Sequence, residues 1–135
     1  MVGYSGTPLA KKIGVREGIS IWLVNPPDYY FDLFTDMPEK IKVLKKRSEQ
    51  IDMIHFFTNS QKELVEQLPL LKKQIAKNGM IWVSWPKKAA KIETDVTEDN
   101  IRDCALRIGL IDVKVCAVND TWSGSKLVIP VKERG

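Results

Sequence analysis

Residues 52–85, DMIHFFTNSQKELVEQLPLLKKQIAKNGMIWVSW, place one helix-sized amphipathic run between two strand-sized apolar runs. Asp52 to Thr58 and Met80 to Trp85 carry apolar side chains at consecutive positions, the pattern of strands buried on both faces. Between them Ser60 and Glu63 form a capping box, and Leu64, Leu68, Leu71 and Ile75 recur as one apolar stripe. Pro69 removes a backbone hydrogen bond within that stripe and predicts a bend or a division of the helix, and Asn78-Gly79 closes it. Strand, helix and strand in this order read as a parallel crossover unit.

Towards the N-terminus, Ile19 to Val24 is a further central strand, entered from a turn at Glu17-Gly18 and terminated by Asn25-Pro26-Pro27-Asp28. Thr7 to Gly14 reads as a short helix covering an edge or end of the sheet. Thr7 is its cap, Pro8 its first position and Gly14 its left-handed exit. Tyr29 to Phe34 is read as a short helix with aromatic packing residues, and Ile41 to Leu44 as a second short strand. Lys45 to Ile51 is too short for a crossover helix, so an extended connection is expected there.

Towards the C-terminus, Pro86 stops the strand, and a loop with Lys87 and Lys88 leads to Thr97 as an N-cap. Glu98 and Asp99 suit the positive first turn, Ile101, Ala105 and Ile108 make a buried face, and Gly109 ends that helix. Asp112 to Val118 and Lys126 to Val131 are expected to form an antiparallel pair turning at Ser123-Gly124-Ser125. The tail, Lys132 to Gly135, is expected to fray. The whole gives a three-layer α/β domain on a mixed sheet of about six strands, with residues 1–18 as an N-terminal helical cap.

The chain has 135 residues, 44% of them hydrophobic and four of them Trp, which fills one core but not two. The start MVGYSGTPLA lacks the basic and apolar regions of a secretory signal, and the apolar runs are strand-sized, so no membrane span and a cytoplasmic location are expected. Cys104, in a helix, and Cys116, in a strand, have no partner spacing for zinc or a disulfide framework and read as buried small hydrophobes. The net charge of +4 arises from 21 basic and 17 acidic residues. Short clusters at Lys45-Lys46-Arg47, Lys72-Lys73 and Lys87-Lys88 are a modest excess and more often solvated surface than a nucleic-acid footprint.

The alternation of elements, ending in a strand hairpin, resembles the sheet of class I S-adenosylmethionine-dependent methyltransferases. In that comparison Ile19 to Val24 is similar to the first strand, Ile41 to Leu44 to the second, Asp52 to Thr58 to the fourth and Met80 to Trp85 to the fifth. The last two strands resemble the family's final pair, and its third strand and adjoining helix are missing. A more specific likeness is carried by Gly3-Tyr4-Ser5-Gly6-Thr7-Pro8-Leu9-Ala10, by Trp82-Val83-Ser84-Trp85-Pro86-Lys87-Lys88, by Val113 to Val118 and by Thr121-Trp122-Ser123-Gly124. These resemble an uncharacterised family of short bacterial proteins, a domain of unknown function.

The methyltransferase resemblance implies a glycine-rich loop after the first strand and an acidic residue after the second. This chain has Asn25-Pro26-Pro27-Asp28 and Lys45-Lys46-Arg47 instead. Proline supplies no amide and no positive φ, and Lys and Arg cannot accept hydrogen bonds from ribose hydroxyls. Asp28 or Asp52 would have to be recruited to that role.

Ligands of open α/β sheets bind above the carboxyl ends of the strands. That rim gathers Asn25, Asp28, Thr58, Asn59, Ser60, Ser84, Trp85, Lys87, Lys88, Asn119, Asp120 and Trp122. Lys87 and Lys88 attract an anionic group, and Trp85 or Trp122 stack on a ring, or else these tryptophans close the core while the lysines are solvated. Asp28 and Asp120 are candidate bases or candidate turn formers. His55, in an apolar strand, reads as a packed, hydrogen-bonded residue and not as a metal ligand. Neither a nucleophile elbow nor a phosphate-binding glycine loop is present.

These observations favour a non-catalytic domain binding a small anionic ligand or a protein partner, with no cofactor required. A divergent S-adenosylmethionine-dependent methyltransferase and a weak nucleic-acid-binding protein are the alternatives.

Overall fold

The computed structural model describes residues 7–46 and 48–134. Its strands are β1 (Ser20–Val24), β2 (Lys42–Val43), β3 (Ile51–Phe57), β4 (Ile75–Pro86), β5 (Ile111–Ala117) and β6 (Trp122–Val128). They form one six-stranded sheet of order β2-β1-β3-β4-β6-β5. The first four strands in that order are parallel, and β6 runs antiparallel to both β4 and β5.

Alternation along each strand sends side chains to two cores. On one face Ile54, Phe56, Ile81, Val83, Trp85 and Leu127 pack beneath α2 (Gln61–Lys72) and α3 (Glu98–Arg107). Leu64, Leu68 and Leu71 of α2 are buried there, each contributing about 1.5–3 kcal/mol of apolar transfer free energy. On the other face Ile21, Met53, Met80 and Trp82 pack beneath α1 (Leu9–Ile13), beside Leu33 and Phe34. The short helix α1 therefore lies over a sheet face and not over an edge, and the carbonyl of Ile13 accepts from Trp82 Nε1 at 2.8 Å.

Thr7 is not the cap of α1. Pro8 occupies the N-cap position, and the Asp36 carboxylate accepts from the amides of Ala10 and Lys11 at 2.9 and 3.0 Å. Gly14 makes the expected left-handed exit, with φ at 87°. The segment after β1 forms a 3-10 turn at Tyr30–Leu33, within the expected helical stretch. The connection from β2 to β3 contains no helix among its described residues.

Helix α2 runs unbroken through Pro69, whose missing amide leaves the carbonyl of Val65, an exposed residue four positions earlier, without its helical donor. It ends at Lys72, so Ile75 belongs to β4 and pairs with Ile51. Gly79 is also inside β4 and is not the helix exit. A Cβ there would lie 2.8 Å from the Ile51 carbonyl oxygen, so glycine permits a close backbone approach. The Ser60 hydroxyl accepts from the Glu63 amide at 3.2 Å, but the Ser60 amide donates to Thr58 Oγ1, leaving the expected box half formed. Helix α3 starts at Thr97 with a complete box closed by Asn100.

The expected turn at Ser123-Gly124-Ser125 is part of β6, whose start at Trp122 leaves a shorter connection. Small residues are needed there, since a Cβ on Gly124 would stand 3.1 Å from the Trp82 ring. The turn is made instead by Asn119, whose Oδ1 accepts from the amides of Thr121 and Trp122 at 2.9 and 2.8 Å. Val131–Glu133 forms a 3-10 turn and Arg134 Nε donates to the Ile129 carbonyl at 2.9 Å, so the tail is tied down as far as Arg134. Cys104 and Cys116 are half-buried free thiols, less enclosed than expected, and burial raises both pKa values.

Met1 to Gly6, within the expected N-terminal cap, and Arg47 and Gly135 lie outside the described residues. No helix among the described residues is long and apolar enough to cross a membrane.

Candidate functional site

The carboxyl ends of β1, β3 and β4 share one rim, and the turn from β5 to β6 joins it because β5 runs in the same direction as β4. Asn25, at the end of β1, has φ at 55°. It takes the left-handed conformation that a glycine would otherwise supply, and Asn tolerates it better than most residues. Its Nδ2 donates to the Phe57 carbonyl at 3.3 Å and to Glu63 Oε2 at 3.2 Å. The other carboxylate oxygen of Glu63 accepts from Thr58 Oγ1 at 2.6 Å. Glu63 thus spans the ends of β1 and β3, which is why it does not complete its helix cap. The sequence marks Glu63 as a capping residue, and only the meeting of β1 with α2 reveals this second use.

Trp122 faces the same core as α1 and is half-buried. Its ring meets Phe57 edge to face at 5.1 Å, and its Nε1 donates to Tyr29 Oη at 3.1 Å. Tyr29 is exposed, so its ring and that of Trp122 form an accessible aromatic ledge on the rim, whereas Phe31, also exposed, meets the buried Tyr30 edge to face. Tyr29 was not identifiable as a site residue from spacing; the useful signal was the unusual density of aromatics after Pro26-Pro27. The Lys87 amide donates to the Thr121 carbonyl at 2.8 Å, which places Lys87 and the exposed Lys88 beside the turn that carries Trp122.

The remaining expected rim residues divide. Asp28 and Asp120 are exposed in turns, and Asn119 is engaged in shaping its own turn. Asn59 is exposed and its carbonyl accepts from Thr94 Oγ1 at 2.9 Å, in a polar cleft of about 440 Å³ shared with Ser60, Glu93 and Asp95. Trp85 is buried in the core beneath α2 and α3, on the opposite face from Trp122, because adjacent strand positions alternate. It does not share a ledge with Trp122.

Ser84 is fully buried and belongs to an internal hydrogen-bonded row instead of the rim. His55 Nε2 meets Ser84 Oγ at 2.7 Å, and His55 Nδ1 meets Tyr30 Oη at 2.9 Å. Burial pushes the His55 pKa down to about 3 and raises that of Tyr30. A neutral ring uses one donor and one acceptor and satisfies both neighbours, whereas an imidazolium would be a buried charge with two hydroxyls as its polar neighbours. This row is built like a nucleophile and its base, but Ser84 has no solvent access, so the geometry supports packing and not attack on a substrate.

The residues fit S-adenosylmethionine poorly. Asn25 reproduces the backbone turn after β1, but Pro26 and Pro27 offer no amides, and its side chain is committed to Phe57 and Glu63. After β2 stand the donors Lys45 and Lys46 where ribose hydroxyls need an acceptor. Asp52 cannot be recruited, because it lies at the amino end of the sheet and accepts from the Ser20 amide and hydroxyl at 2.9 and 3.3 Å.

A parallel sheet of this order, extended by a terminal antiparallel pair and covered by helices on both faces, defines a Rossmann-like, methyltransferase-like α/β domain. Solved structures with this fold include a SAM-dependent methyltransferase from Aquifex aeolicus, at 16% identity and a TM-score of 0.66 over 89% of this chain and 87% of that one. A putative type 11 methyltransferase from Sulfolobus solfataricus follows at 9% identity and 0.58, over 98% and 96%. LepI in complex with SAM matches at 10% identity and 0.56, over 90% of this chain and 39% of that one. Comparison with curated proteins gives no match. Residues 33–131 match the family described as "Protein of unknown function (DUF3052)", and the chain belongs to that family.

Proposed function

We propose that this protein is a non-catalytic, cytoplasmic binding domain whose rim takes a small anionic ligand with a planar face. The observation that carries the reading is the ledge of Tyr29 and Trp122, held by the Trp122 to Tyr29 hydrogen bond next to Lys87 and Lys88. Aromatic faces stack on planar groups, and lysines on an exposed rim add charge attraction. Among the described residues of the rim none combines a free nucleophile with a base in hydrogen-bond reach, and binding is the chemistry these groups support.

Likeness to methyltransferases makes S-adenosylmethionine the natural competing ligand. Titration with S-adenosylmethionine, S-adenosylhomocysteine and nucleoside monophosphates separates the two readings. The proposal expects nucleotide binding that weakens in Trp122→Ala and in Lys87→Ala/Lys88→Ala, with neither S-adenosyl compound bound at millimolar concentration. Tight S-adenosylmethionine binding with methyl transfer would replace it by the enzyme reading. Binding to oligonucleotides that collapses steeply with salt would instead favour a nucleic-acid partner.

A further inference from the structure

The β2 edge of the sheet carries a second concentration of charge. Lys42, Lys45 and Lys46 line one concavity of about 420 Å³ together with Val43, Leu44 and Ser48. Its volume falls within the range of roughly 300–1,000 Å³ usual for small-ligand sites. Among the described residues none of these lysines forms an ion pair, while the ion pairs present all belong to Arg102.

The base of the concavity is fixed. The Lys42 amide donates to the Ile19 carbonyl at 2.9 Å and the Leu44 amide to the Ile21 carbonyl at 2.8 Å. Leu44 packs against the core beneath α2 and α3, which anchors the segment between Lys42, within β2, and Lys45 and Lys46, just after it. Three like charges held on one short stretch repel one another, and a multiply charged anion relieves that repulsion while offering each ammonium an acceptor.

Position selects the anion. In dinucleotide-binding sheets of this kind an acidic residue at this place takes ribose hydroxyls, and a basic residue nearby accommodates a phosphate instead. This chain has the basic choice, with Ser48 adding a half-buried hydroxyl at the same concavity. We propose that the concavity binds the phosphate group of a small phosphate monoester, with Lys42, Lys45 and Lys46 as its charge partners.

None of its lining residues belongs to the aromatic ledge: β2 is four strand positions from β6, which carries Trp122, while Tyr29 follows the neighbouring β1. A ligand without a ring therefore tests it without engaging Trp122.

The experiment titrates the intact protein with glycerol 3-phosphate, inorganic phosphate and glycerol at low salt, following binding by calorimetry and amide chemical shifts. Glycerol 3-phosphate and phosphate should bind, with shifts centred on residues 42–48, and glycerol should not. Affinity should weaken with added salt, because the charges are exposed. Lys45→Ala/Lys46→Ala should weaken binding about tenfold or more, and Lys42→Gln should weaken it without altering the thermal midpoint. Lys87→Ala/Lys88→Ala should leave it unchanged.

Absence of binding at millimolar phosphate would overturn the site, as would equal binding of glycerol. Shifts centred on Trp122 and Lys87 would assign the anion to the rim instead. An oligonucleotide that bound through the same lysines far more tightly than glycerol 3-phosphate would replace a small-molecule site by a polyanion surface.

Discussion

Asn25 Nδ2 donates to Glu63 Oε2 across 3.2 Å, coupling the residue that ends β1 to the first turn of α2. The same carboxylate holds Thr58 at the end of β3. One glutamate from the first turn of α2 therefore braces the two strand ends where a ligand of this fold class would approach.

Asn25→Ala removes these hydrogen bonds and leaves a Cβ-bearing residue without local polar support at positive φ. We expect a loss of about 1–3 kcal/mol, while Asn25→Gly should lose less because glycine adopts that conformation freely. Urea denaturation of both variants checks the order. A double-mutant cycle with Glu63→Gln should show coupling of at least about 0.5 kcal/mol; strict additivity would mean that the contact carries no energy.

His55 links acidity to stability. Its native pKa lies near 3, below the unfolded value of about 6.5. The unfolded chain therefore binds a proton first as pH falls, and the contribution of neutral His55 is complete above about pH 6.5 and shrinks towards pH 3. Stability should drop by about 1.4 kcal/mol per pH unit in that window, on top of any carboxylate effects. Denaturation midpoints measured from pH 7 to 4 should fall less steeply in His55→Phe; identical slopes in both proteins would contradict this account.

Gly124 faces the ring of Trp82, and an added Cβ would lie 3.1 Å from that ring and 3.2 Å from Val118 Cγ2. Gly124→Ala should cost about 1–3 kcal/mol through overpacking of β6 against β4. Combining it with Trp82→Leu should recover part of the cost relative to the sum of the singles, as read from thermal unfolding.

Asp36 caps α1 from a distant loop by accepting from the amides of Ala10 and Lys11. Asp36→Ala should cost about 0.5–2 kcal/mol. Because the effect is local, hydrogen exchange should accelerate at Ala10 and Lys11 more than in β3. Uniform acceleration across the sheet would argue against a capping role.

Local sequence was informative wherever the governing interactions were local. Thr97 as a cap, Gly14 as an exit, the stripe of Leu64, Leu68 and Leu71, and the end of β1 before Pro26 all follow from neighbours within a few positions. Errors came where glycine served packing. Gly79 and Gly124 looked like a helix exit and a turn, whereas one makes room for the Ile51 carbonyl and the other for Trp82. Nothing near Gly124 in the chain signals Trp82, which is brought to it only by the pairing of β6 with β4.

The candidate site was legible as a set of loops and not as a set of contacts. Apolar runs of strand length, separated by one strong helix and closed by a terminal pair, were enough to determine the layered α/β architecture and the rim at which its loops meet. That follows because burial and backbone hydrogen bonding constrain every residue of such runs in the same way. The tertiary structure alone decided that Trp122 faces the rim while Trp85 supports the helices, that Ser84 serves His55, and that Glu63 reaches Asn25. Those choices depend on strand register and on which face each side chain takes, and both are set by partners far away in the chain.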